Sequence, residues 1–97
     1  MGKMAYKVVW TTRANKQVLA QYKWLHKFWT QKEIAALSEE INRTVSLIAK
    51  NPNLFKESEL NGIRVAVVLK LNKLYYRVLS EEIRIIAFYP SRKKPLV

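Results

Sequence analysis

IRVAVVLKLNKLYYRVLSEEIRIIAFY, residues 63–89, alternates apolar and polar positions with a period near two, and that period decides the fold. Successive side chains of a strand point to opposite faces, so IRVAVVLK sets Ile63, Val65, Val67 and Leu69 on one face and Arg64, Ala66, Val68 and Lys70 on the other. LYYRVL follows a short turn around Asn72, and IRIIAFY follows a second turn at Ser80-Glu81-Glu82. Three strands joined by tight turns predict an antiparallel meander. With Ile63, Val65 and Val67, Leu74, Tyr76 and Val78, and Ile83, Ile85 and Ala87 assigned to the core, Arg64, Arg77 and Arg84 project from the opposite face, one per strand. Tyr75 lies beside them, and Val68, Ile86 and Phe88 make that face partly apolar.

Upstream of the strands the period is longer. From Arg13 to about Phe28, Ala14, Val18, Tyr22, Leu25 and Trp29 recur at spacings of three and four, with Lys16, Lys23 and Lys27 between them. The spacing predicts an amphipathic helix with a basic outer face. Thr30-Gln31-Lys32-Glu33 reads as a capping box, in which side chains and backbone donors at a helix start satisfy each other. Ile34, Leu37, Ile41, Val45 and Ile48 carry the apolar stripe of this second helix until Asn51-Pro52, because proline disfavours helical geometry at the residue before it. YKVVW at 6–10 is β-branched and aromatic and precedes Thr11-Thr12, a helix-capping pair. The expected architecture is α+β, in the order β-α-α-β-β-β, with a helical hairpin packed on one face of a mainly antiparallel sheet. A chain of 97 residues has surface enough to bury one core, so 1–97 is read as a single domain.

Composition narrows the function. Eighteen Lys and Arg against seven Asp and Glu give a net charge of +11, a field that favours polyanions or an acidic partner. Cysteine is absent and His26 is the sole histidine, so neither disulfides nor a thiolate or histidine-rich metal site is expected. With Gly2 and Gly62 as its glycines, the chain has no glycine-rich phosphate loop. No stretch approaches the roughly 20 apolar residues of a membrane span, so a cytoplasmic protein without cofactor or membrane partner is expected.

Catalytic signals are sparse. Glu39-Glu40 reads as helix surface, Glu81-Glu82 as a turn and His26 as a surface or packing residue. Metal-free RNA cleavage would have to draw on Arg64, Arg77, Arg92, Tyr76 and Tyr89, groups able to align a 2′-hydroxyl and stabilise phosphorane charge. A basic face with Tyr75 beside it could hold phosphate and stack a base. Polar residues also occupy the solvent face of any antiparallel sheet, so the same arginines fit an ordinary solvated surface.

YKVVWTTRA, LIAKNPNLF, VVLKLNKLYYRV and IRIIAFYPSRKKP, in this order over almost the whole chain, resemble the RelE/ParE family of toxins from bacterial type II toxin–antitoxin systems. The last string resembles the family's closing Arg-x-x-Pro segment, represented by Arg92 and Pro95. The resemblance implies a growth-inhibiting toxin, often of a plasmid-stabilisation locus, blocked by a cognate acidic antitoxin. Two targets go with it: DNA gyrase for ParE-like members, and messenger RNA on the ribosome for RelE-like members. The segment after the last strand has no histidine, and Pro90 stands where close RelE-like relatives often carry an acidic or polar residue; the ParE-like reading is therefore preferred. A basic nucleic-acid-binding module is a further alternative. The expected target-binding set is Arg64, Arg77, Arg84, Tyr75, Arg92, Lys93 and Lys94, with Arg92, Arg64 and Arg77 catalytic in a nuclease. Phe88, Ile86 and Arg84 are expected to meet the antitoxin.

Overall fold

The computed structural model describes residues 5–69 and 72–89. The elements follow as β1 (Lys7–Trp10), α1 (Thr12–Phe28), α2 (Gln31–Lys50), β2 (Arg64–Val68), β3 (Asn72–Val78) and β4 (Glu82–Tyr89). They form a four-stranded sheet in the order β1-β4-β3-β2, with the helical hairpin over one face. β2, β3 and β4 make the antiparallel meander, and β1 runs parallel to β4. A parallel pair needs a long crossover, and the whole helical layer supplies it.

Local chemistry accounts for the helix limits. Thr11 Oγ1 accepts the Ala14 N–H at 3.1 Å and starts α1. His26 and Lys27 lie in its last turn, where positive charge meets the negative end of the helix dipole. At the start of α2 both halves of the capping box form: Thr30 Oγ1 accepts the Glu33 N–H at 3.3 Å, and Glu33 Oε1 accepts the Thr30 N–H at 3.0 Å. Asn51 closes α2, and Pro52 behind it is buried.

Leu25, Leu37, Ile41 and Ile48 from the helices meet Ala66, Val68, Leu74, Tyr76, Ile83, Ile85 and Phe88 from the sheet. Burying each of the larger side chains contributes about 1.5–3 kcal/mol before conformational entropy is charged against it. The helical stripe matches the expected one from Ala14 to Ile48, except that Trp29 lies beyond the core and is 48% exposed.

The sheet corrects the expected facing twice. In β2 the core side is Arg64, Ala66 and Val68, because these pair with Tyr76, Leu74 and Asn72 of β3. Ile63, Val65 and Val67 therefore belong to the open face. Both rows of β2 are apolar enough to be buried, so alternation cannot choose between them. Ala66, fully buried, takes the inner row where α2 packs on β2, and Arg64 escapes at the margin by donating from Nη1 to the Phe55 carbonyl at 2.6 Å. In β4 the pairing steps from Tyr76↔Ile85 to Tyr75↔Ala87, leaving Ile86 as the extra residue of a β-bulge. Ala87 thereby joins the open face, and Phe88, opposite Leu74, is fully buried in the core.

Candidate functional site

The N-cap and first two turns of α1 hold the bulge in place. Thr11 Oγ1 donates to the Ile86 carbonyl at 3.2 Å, and Gln17 Oε1 accepts the Phe88 N–H at 2.8 Å. Backbone groups that a bulge frees from the ladder are thus paired with side chains rather than left bare. Arg13 adds a third tie, its Nη2 donating to Tyr89 Oη at 2.6 Å with the guanidinium carbon 5.9 Å from the Tyr89 ring centroid. An arginine in the first turn works against the helix dipole. Its engagement with the end of β4 offsets that cost.

These ties shape one wall of a groove of about 790 Å³ on the open sheet face. Ile63 and Val65 of the β2 side, Lys73 and Tyr75 of β3, and Ile86, Ala87 and Tyr89 of β4 line it, and residues 56–60 close its far side. Tyr75 and Tyr89 meet edge to face, with centroids 5.6 Å apart and planes at 80°. Arg13, Lys56 and Lys73 give the groove positive charge, against Glu57 and Glu59. Glu57 Oε2 already accepts the Gly62 N–H at 2.8 Å, in a turn where Gly62 has φ of +76°. Aromatic edges beside cations suit a planar or anionic group.

Beyond the groove, Arg77 and Arg84 face each other across β3 and β4 on the same open face, with Lys73, Tyr75 and Arg77 succeeding one another along β3. Arg84 Nε pairs with Glu82 Oε2 at 2.9 Å, so part of its charge is met locally. Arg77 is exposed.

Of the residues expected to act together, Tyr75, Arg77 and Arg84 share the open face and Ile86 joins them at the bulge. Arg64 does not: it lies on the helix side, beside Tyr76. Tyr76 is likewise a core residue, with Oη donating to the Pro52 carbonyl at 2.8 Å. Burial pushes its pKa above the ordinary tyrosine value, against the opposing pull of the Arg64 guanidinium and a backbone hydrogen bond at Phe55. Phe88 is unavailable to an antitoxin, being wholly buried. Arg92, Lys93 and Lys94 lie outside the described residues. Sequence reasoning missed Arg13, Lys73 and Lys56; the dipole-opposed position of Arg13 is the signal that could have found it. Among the described residues, no group of three or more His, Cys, Asp or Glu could hold a metal ion, and no helix is long and apolar enough to cross a membrane.

No established protein family and no curated protein matches the sequence. Solved structures do match in shape. A chain of the chromosomal ParDE TA system from P. aeruginosa aligns with a TM-score of 0.76 at 19% identity, over 89% of this chain and 96% of that one. The YoeB dimer from Staphylococcus aureus aligns with a TM-score of 0.58 at 19% identity, over 86% of this chain and 93% of that one. The chain shares the α+β fold of these two structures, strand-helix-helix followed by the three-stranded meander.

Proposed function

We propose that this chain is the toxin of a type II toxin–antitoxin pair, that it acts in the cytoplasm in the ParE manner by binding DNA gyrase, and that a cognate acidic antitoxin neutralises it. The observation that carries the ParE-like choice is the facing of Arg64. With Arg64 turned to the helix side, the three sheet arginines that an RNA-cleaving face would gather are reduced to Arg77 and the Glu82-paired Arg84. Tyr75, Tyr89, Arg13 and Lys73 form instead a surface fitted for holding a partner, and Arg92, Lys93 and Lys94 extend the basic sequence behind it.

Induction of the chain in bacteria, with and without the product of an adjacent acidic reading frame, tests the reading. Growth arrest with blocked replication and a DNA-damage response, relieved by the acidic partner, is the expected result. Arg92→Ala then weakens arrest by removing a contact, about 1–3 kcal/mol for a charged hydrogen bond. Mapping the 5′ ends of cellular RNA decides against the ribosome: codon-phased cuts that depend on translation would displace gyrase as target and install RelE-like messenger cleavage.

A further inference from the structure

The open-face groove is nearly neutral in a chain that is not. Lysines and arginines outnumber carboxylates by eighteen to seven over the whole sequence. Three cations and two carboxylates line the groove, Arg13, Lys56 and Lys73 against Glu57 and Glu59. Both carboxylates stand on the far wall, in the connection between α2 and β2. The sheet side offers what a single strand of nucleic acid uses, a cation at Lys73 and stacking rings at Tyr75 and Tyr89, with Arg13 bonded to the second ring's hydroxyl.

Burial does not hold the far wall up. Residues 56, 57 and 59–62 are exposed, so hydrogen bonds set their place. The Ser58 hydroxyl closes the tip by donating to the Ile63 carbonyl at 2.8 Å and accepting the Leu60 N–H at 3.0 Å. The Val65 N–H donates to the Lys56 carbonyl at 3.2 Å and stitches the wall to β2. At the root Pro52 is buried with its carbonyl held by Tyr76, and Arg64, directly opposite Tyr76, donates to the Phe55 carbonyl at 2.6 Å. That last bond is the shortest of the set and has an ionised donor, so it does most to fix the wall. Arg64 thus sets the shape of the groove from the helix side, without facing it.

We propose that Glu57 and Glu59, set in place by Arg64, are the specificity determinants of the groove. Their carboxylates repel the phosphate backbone that the cations and tyrosines would otherwise hold, and so reserve the groove for a protein segment. Glu57 is fixed by the Gly62 N–H at 2.8 Å, and Glu59 is exposed at the wall. Charges interact over about 10 Å in physiological salt, and those lining one groove lie inside that range. A like charge placed against the wrong ligand separates two ligands that the same site could otherwise contact equally well. The proposal rests on the ParE-like reading in one respect, that the occupant admitted is a protein.

The test uses the purified full chain and a fluorescein-labelled oligouridylate of about eight nucleotides, within the length a single-strand groove tracks, at one fixed physiological salt concentration. Binding is read by anisotropy. Glu57→Gln/Glu59→Gln keeps the oxygen that accepts the Gly62 N–H, and is expected to bind at least about tenfold more tightly than the unaltered chain, a step of about 1.4 kcal/mol. Glu39→Gln/Glu81→Gln removes the same charge from α2 and from the turn before β4, and should gain less than about threefold. Arg64→Ala removes a cation, which by charge alone weakens the hold on a polyanion. It is expected instead to strengthen binding by about threefold or more, because the released wall carries its carboxylates away. Arg64→Lys keeps a donor for the Phe55 carbonyl and should restore the weak binding of the unaltered chain. Adding Tyr75→Ala to Glu57→Gln/Glu59→Gln should abolish the gain, which places the oligonucleotide in the groove. Equal gains in the groove pair and the control pair, no gain in the groove pair, or weaker binding by Arg64→Ala would each overturn the proposal. Messenger cleavage is scored separately in cells expressing the unaltered chain. Codon-phased cuts alongside the expected gain defeat the ParE-like reading and leave the charge selection standing, whereas intact messages with no gain in the groove pair defeat the charge selection alone.

Discussion

Tyr76 Oη donates to the Pro52 carbonyl at 2.8 Å inside the core, so the middle of β3 is tied to the residue that follows the end of α2. Tyr76→Phe keeps the ring and removes the donor, leaving a buried carbonyl unpaired. The expected cost is about 1–3 kcal/mol, seen as a lower urea midpoint with an unchanged m value.

The same hydroxyl sets an alkaline limit. Its pKa is raised above 10.0 by burial, so the folded chain holds the proton at a pH where the unfolded chain releases it. The contribution is fully present below about pH 10 and is lost as pH rises through the folded value. Urea midpoints measured from pH 8 to 11 should fall more steeply for the parent than for Tyr76→Phe; parallel profiles would sink the assignment.

Gln17→Ala should loosen the end of β4 by leaving the Phe88 N–H without its 2.8 Å acceptor. A loss of about 1–3 kcal/mol is expected, together with faster hydrogen exchange at Phe88. Gln17→Glu retains an oxygen acceptor and should recover most of the protection.

Arg77 and Arg84 stand directly opposite on β3 and β4, an arrangement that costs stability when like charges meet. Arg77→Glu should therefore raise the melting midpoint modestly, by the equivalent of about 0.2–1 kcal/mol. Growth inhibition by the same variant should fall, since Arg77 is the exposed member of the pair. A variant that lost both stability and toxicity would show that Arg77 serves the fold, not the target.

How far the sequence could be read varied with the kind of constraint at each position. Thr11, Thr30 with Glu33, and Asn51-Pro52 act through their immediate neighbours, and the helix limits they imply match those observed. Leu37, Ile41 and Ile48 obey a period that one polar face enforces. β2 has no such face: Ile63, Val65 and Val67 are as apolar as the inner Ala66 and Val68, and the choice between them comes from pairing with β3 and from the small volume needed under α2. Ile86 gave no sign of a bulge, because the partners that hold it, Thr11 and Gln17, are distant in sequence. The groove was legible through Tyr75 but not through Arg13, which reaches it from the helix layer.

The extra residue at Ile86 acts as a parity switch. Up to Ile85 odd-numbered positions of β4 look toward the helices, and from Ala87 to Tyr89 even-numbered ones do. Straightened into regular alternation with Ile86 retained, the strand would send Phe88 outward and Tyr89 inward without altering either side chain, whereas loss of the one extra residue leaves both facings as they are. Aligning related chains across β4 without a gap at Ile86 would therefore exchange a core position for a surface one, and would credit the surface with a residue that never touches solvent.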